Sequence, residues 1–146
     1  MSAIRRLDHV AIAVRDTDAA LRRLGAGLGL AVLASEEIER PHVRLTYLDC
    51  GNACIQLVEP LDDESPVAEF LAAHGEGLHH ICFGVDEVAA GAAALSPDGS
   101  PPVAIGSGRG RPSAFVAGEP PSGVRVEVTE FDRVADVEES PGWLRP

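Results

Sequence analysis

Leu7-Asp8-His9-Val10-Ala11-Ile12-Ala13-Val14 and Leu78-His79-His80-Ile81-Cys82-Phe83-Gly84-Val85 are nearly one octapeptide written twice, 71 positions apart at His9 and His80. The same spacing carries Ala53-Cys54-Ile55-Gln56-Leu57-Val58-Glu59 onto Val124-Arg125-Val126-Glu127-Val128-Thr129-Glu130. Between them, an alanine-rich segment with an acidic start runs over 16–24 and again over 87–95. Self-similarity at a fixed spacing means one supersecondary module used twice.

Each copy reads as β-α-β-β-β. The first predicts a strand near 7–14, a helix near 17–25, and strands near 31–38, 43–49 and 53–59. The second predicts a strand near 78–85, a helix near 87–95, and weaker strands near 102–105, 112–117 and 123–130. Gly51-Asn52 marks a tight turn, and Pro97-Asp98-Gly99 and Pro120-Pro121-Ser122-Gly123 mark loops. Ser65-Pro66 reads as an N-cap with proline at the first helical position, opening a short helix to about Ala73. The expected organisation is a single domain over 1–146. It has a first module at 5–60, a linker with a short helix at 61–76, a second module at 77–131, and a C-terminal tail at 132–146 with Trp143 as its anchor. Two such modules make an α+β fold around a shared concavity.

Composition narrows the function. The chain has 146 residues, 45% hydrophobic and 24% charged, which is globular. The net charge of −11 repels phosphate backbones, so nucleic acid is not an expected partner. All twelve basic residues are arginine, which excludes lysine Schiff-base chemistry and the P-loop. No apolar run reaches the length of a membrane span, no secretory segment opens the chain, and a cytoplasmic protein is expected. Cys50, Cys54 and Cys82 are odd in number and lack CxxC spacing, so all three read as small buried apolar residues.

Strand alternation sorts the faces. Val10, Ile12 and Val14 should pack on the helix, with His9, Ala11 and Ala13 opposite. Ile81, Phe83 and Val85 oppose His80, Cys82 and Gly84. Ile55 and Leu57 oppose Cys54, Gln56 and Val58, and Val124, Val126 and Val128 oppose Arg125, Glu127 and Thr129. Each histidine shares its face with small residues, which leave volume for a pocket. Each copy therefore offers one imidazole and one oxygen donor at matched positions. His9, Gln56, His80 and Glu127 read as ligands of one divalent cation (Co, Ni, Mn, Fe or Zn), with open positions for catalysis. The bland alternative is four unrelated polar residues on a half-solvated sheet face; the repeat-matched placement favours the ligand reading.

The segments LDHVAIAV, IQLVEP, GEGLHHICF and GVRVEV resemble the vicinal oxygen chelate (glyoxalase/bleomycin resistance/dioxygenase) superfamily, and within it the methylmalonyl-CoA epimerases. The likeness covers about residues 5–131 and is strongest up to about residue 90. It implies a glyoxalase-like half-barrel of paired βαβββ modules. By position it places the family's metal ligands on His9, Gln56, His80 and Glu127, with Glu127 in proton transfer. It implies epimerisation of methylmalonyl-CoA or a similar 2-substituted acyl thioester through a metal-stabilised enolate. An acyl-CoA substrate and a homodimer follow by family habit.

Two departures stand out. Some family members carry a glutamate on the third strand, and the matching position here is Leu45. Tyr47, Glu39 or a metal-bound water are the available substitutes, and Tyr47 and Leu45 are read as lining the substrate. A His-Pro-Lys-like stretch of the family is replaced by Ala117-Gly118-Glu119-Pro120. Arg109 and Arg111 can grip a carboxylate or phosphate bidentately, or belong to a mobile cationic loop. Arg125 either binds a substrate anion or points into water. Alternatives in function stay open: a glyoxalase I-like lyase or isomerase, though bacterial glyoxalases usually have glutamate where Gln56 stands, or a ligand-sequestering resistance-type binding protein.

Overall fold

A computed structural model describes residues 3–132. The expected tail and its Trp143 anchor lie outside the described residues. Eight strands and three α-helices follow one another as β1 (Ile4–Ala13), α1 (Thr17–Leu21), β2 (Val32–Ile38), β3 (Val43–Asp49), β4 (Cys54–Pro60), α2 (Pro66–His74), β5 (Gly77–Val85), α3 (Val88–Leu95), β6 (Val103–Gly108), β7 (Arg111–Phe115) and β8 (Val126–Glu130). The strands form one mixed sheet in the order β2-β3-β4-β1-β5-β8-β7-β6. The repeat is visible in that order, because β1, β4, β3, β2 and β5, β8, β7, β6 are the same sequence of neighbours. The expected α+β class of paired βαβββ modules is the one observed. Two compact units divide the chain, and both divisions fall inside strands, at His9/Val10 and His79/His80.

In the unit of residues 10–79, β3 pairs antiparallel with β2 and β4, with Tyr47 opposite Gln56 and Leu45 opposite Val58. Alternation sends Ile12, Val14, Leu48, Ile55 and Leu57 to one face, where Leu21 and Leu24 pack on them. Leu21 closes α1 and Leu24 lies in the π-helical turn Arg22–Ala26 that continues it, so the helix expected at 17–25 is present but widened in its second half. Ala11, Ala13, Val43, Leu45, Tyr47, Cys54 and Val58 take the other face, under Val67 and Leu71 of α2. There α2 and the bulky residues of β3 pack with the small side chains of β1. Helix α2 begins as its sequence predicts: Ser65 Oγ accepts from Ala68 N at 3.1 Å, and Pro66 is the first helical residue. Removing such a cap costs about 1 kcal/mol.

In the unit built from the N-terminal residues up to His9 and the chain from His80 onward, β5 and β8 run parallel, with Cys82 opposite Glu127. β7 runs antiparallel to β8, with Phe115 opposite Glu127. Val85, Val128 and Ala92 form its core with Val88, Leu95 and Val116. Helix α3 lies so close to β5 that a Cβ on Gly91 would come within 2.9 Å of three side-chain atoms of Val85. Two expectations are corrected. Val124 does not pack on the helix: β8 begins only at Val126, after Gly123 at φ +75, and Val124 is 40% exposed. Cys50 is exposed rather than buried because it lies past the end of β3, whereas Cys54 and Cys82 are buried; all three are free thiols.

Candidate functional site

His9 near the middle of β1, His80 in β5 and Glu127 in β8 all belong to one compact unit, and their side chains meet. His9 Nε2 lies 3.3 Å from His80 Nε2 and 3.4 Å from Glu127 Oε1, and His80 Nε2 lies 3.7 Å from the same oxygen. The two histidines are buried, at 2% and 7% exposure. Phe115 sets its ring edge-on to His80, with centroids 5.1 Å apart. Three donor atoms facing one another across such gaps suit a shared cation: ligands about 2.1 Å from one ion stand roughly 3.0–3.4 Å apart in octahedral or tetrahedral geometry. A donor set of two imidazole nitrogens and a carboxylate oxygen is of the mixed N/O kind, unlike the thiolate sets of closed structural zinc sites.

Asp8 was given no role by the sequence, yet it is 2% exposed and is the partner of His9. His9 Nδ1–H donates to Asp8 Oδ2 at 2.7 Å, which leaves Nε2 for the cluster. The same oxygen accepts from Arg109 Nη2. An acidic residue next to a histidine inside an apolar strand was the available signal. Cys82, fully buried, adds its thiol to Asp8 and His9 in a second, overlapping group of potential ligands.

The charges hold one another. Burial alone would raise the Asp8 carboxyl, but the hydrogen bond from His9 and the charge of Arg109 outweigh it and keep it below its usual value. Burial would likewise raise Glu127, and the hydrogen bond from His9 with the charge of His80 brings it below the ordinary range. His9 is lowered by burial but raised on balance by its bonds to Asp8 and Glu127. Burial, then the charges of Glu127 and Asp8, push the Cys82 thiol well above its usual value, so it stays protonated in the metal-free protein.

The other sequence-derived residues are carried by several elements. Gln56, in the unit of residues 10–79, is 4% exposed; its Nε2 donates to Tyr47 Oη at 2.9 Å, and its Oε1 is buried without a hydrogen-bond partner among the described residues. Tyr47 and Leu45 lie in the buried cluster of β3 at 1% and 9% exposure. Glu39 is exposed, past the end of β2. Arg109 occupies the β6–β7 turn, and Arg111 opens β7 half-buried. Arg125 is exposed just ahead of β8, where its carbonyl accepts from Ile81 N at 3.1 Å. His79 packs on Phe70 of α2, with ring centroids 4.8 Å apart. No helix among the described residues is long and apolar enough to cross a membrane.

Comparison with known proteins agrees with this picture. The sequence profile of the Glyoxalase/Bleomycin resistance protein/Dioxygenase superfamily matches residues 8–117. The ethylmalonyl-CoA/methylmalonyl-CoA epimerase of Cereibacter sphaeroides is 34% identical over 134 residues, which is 87% of this chain and 98% of that protein. The uncharacterized protein YqjC of Bacillus subtilis is 41% identical over 80 residues, so the match spans 55% of this chain and just 57% of that relative. A variant of the Streptomyces coelicolor methylmalonyl-CoA epimerase, in complex with 2-nitronate-propionyl-CoA, superposes with a TM-score of 0.75 at 32% identity, covering 87% of this chain and 97% of that one. The resemblance read from the sequence is borne out, and so is its fold.

Proposed function

This chain belongs to the Glyoxalase/Bleomycin resistance protein/Dioxygenase superfamily, and on that footing we propose that it is a divalent-metal-dependent epimerase of methylmalonyl-CoA or a similar 2-substituted acyl thioester. The observation that carries the proposal is the meeting of His9 Nε2, His80 Nε2 and Glu127 Oε1 within 4.8 Å of one another, in a chain whose relatives are named as such epimerases. His9, His80 and Glu127 would hold the cation. Gln56 is offered as the fourth donor by its repeat-matched position in the sequence and by the family likeness. When bound, the cation supplies positive charge that stabilises negative charge developing on a thioester carbonyl oxygen.

The chain's own residues do the rest. Glu127, kept ionised by the neighbouring imidazoles, takes the proton from one face of the carbon between thioester and carboxylate, and a second acid returns a proton on the other face. His9 and His80 fix the orientation of that carboxylate. Leu45 transfers no proton, so the opposite face of the carbon needs another group. Arg111 and Arg125 are offered as cations for a substrate carboxylate or phosphate, and Tyr47 and Leu45 as substrate-lining positions by the family likeness. A homodimer is proposed on family habit.

The test is deuterium wash-in at the α-carbon of methylmalonyl-CoA, followed by NMR, with apo and metal-loaded protein. Exchange that depends on metal supports the proposal, and its absence in metal-loaded protein sinks that substrate. Turnover of the methylglyoxal–glutathione hemithioacetal instead would move the chain to the glyoxalase branch.

A further inference from the structure

Arg109 stands where its residue type is not favoured. β6 and β7 are joined by Arg109 and Gly110 alone, with Gly108 opposite Arg111, and the two linking residues have φ of +55 and +72. Positive φ at both central positions is the pattern of a type I′ turn, which selects Asn, Asp or Gly at the first of them. An arginine with a bulky side chain pays a steric penalty there that asparagine would not. Its side chain reaches back to Asp8, 101 residues away in sequence, and donates Nη2–H to the oxygen that also receives His9 Nδ1–H.

We propose that Arg109 is a positioning residue of the metal centre: through Asp8 it fixes the ring orientation of His9, so that the β6–β7 turn is part of the ligand architecture rather than a substrate clamp. The inference rests on the reading of His9, His80 and Glu127 as ligands. A carboxylate held only by one imidazole N–H can rotate about its Cβ–Cγ bond. Held also by a guanidinium, it has one orientation, and the imidazole plane follows it. Partners of this kind behind a ligating histidine set its tautomer and direction. The burial of Asp8, at 2%, removes water as a substitute for either donor.

The turn itself supplies a clean variant. Arg109→Asn suits the turn at least as well as arginine while removing the guanidinium, and Arg109→Lys keeps a charge without the fork. Arg5→Ala, which breaks an exposed ion pair with Asp86 in the same unit, serves as the control for charge loss. Full-length protein is titrated with Co2+ against a chromophoric chelator, and its visible bands are recorded. The Co2+ dissociation constant should rise about 10–100-fold in Arg109→Asn, with altered bands, partial recovery in Arg109→Lys, and no change in Arg5→Ala.

If Arg109→Asn binds Co2+ as tightly as the parent with the same bands and loses only affinity for acyl-CoA, the inference is overturned and Arg109 is a substrate residue. If the parent protein takes up no Co2+, the metal reading itself fails. The positioning claim is then decided in metal-free protein by 15N NMR of the His9 ring. Signals that change in Arg109→Asn uphold it, and signals identical to the parent overturn it.

Discussion

Tyr47 beside Gln56 and Phe115 beside Glu127 are the same cross-strand pair met once in each copy of the repeat. In the first, the phenol oxygen accepts from the amide Nε2 at 2.9 Å, and the amide oxygen is left buried without a partner. In the second there is no hydroxyl; Phe115 supports His80 with its ring edge, and Glu127 Oε1 turns to the two imidazoles. The difference follows from the donor inventory. An amide presents donors as well as an acceptor, so its N–H must be satisfied elsewhere before its oxygen is available alone. An ionised carboxylate has no donor and needs no such partner. One oxygen atom, present in Tyr47 and absent in Phe115, matches each neighbour to its own side chain.

Exchanging the two oxygen donors should separate them most sharply. In Glu127→Gln the rate of deuterium exchange into methylmalonyl-CoA should fall roughly 10²–10⁴-fold, the usual range for losing a proton-transfer group. Gln56→Glu should lose far less, and equal losses would erase the proposed division of labour. Next, Tyr47→Phe makes the first copy resemble the second but strands a buried amide N–H. Urea unfolding should show a loss of about 1–3 kcal/mol, and no loss would mean the amide finds another acceptor.

The helices offer a matching contrast, because Gly91 and Ala20 are also related by the repeat spacing. Gly91→Ala forces a Cβ against Val85 and should cost about 1–3 kcal/mol in the same assay, whereas Ala20→Gly should cost about 1 kcal/mol, from backbone entropy and the loss of a methyl group packed on the core. The mildest effect expected is on the pH profile. Asp8 and Glu127 are lowered from 3.8 and 4.5, so their stabilisation is present above those values and is lost as pH falls. His9 is raised from 6.5, so its contribution is full below that value and is lost as pH climbs through its folded value. The melting temperature of metal-free protein should therefore peak between about pH 4.5 and 6.5. Affinity for a metal should instead grow as pH rises past His9; a flat affinity profile would contradict the proposed ligand role.

Much of this was legible beforehand because it depends on local periodicity. The two faces of β1, with Ile12 and Val14 against α1 and Ala11 and Ala13 opposite, follow from alternation alone. The cap of α2 follows from Ser65-Pro66, and the alignment of His9, His80 and Glu127 follows from the repeat. What was missed depends on long-range partners. Nothing local says that α2 would cover Ala11 and Ala13, or that Arg109 would find Asp8. The expected strands near 102–105 and 112–117 left a longer connection than the structure has: β6 runs on to Gly108 and β7 starts at Arg111, because the two strands pair up to a two-residue turn. Val124 was misplaced because Gly123 resets the backbone just before β8 begins.

The sheet ends, among the described residues, on β6, where Val103 and Ile105 are 50% and 76% exposed. A straight apolar border of this kind invites a second chain to add itself and begin a fibril. Here the pairing with β7 slips between Val103 and Gly106, and Ala104 takes a φ of +47. The kink interrupts the run of outward amides and carbonyls that an incoming strand would need, so the irregularity acts as a guard against self-association along that border.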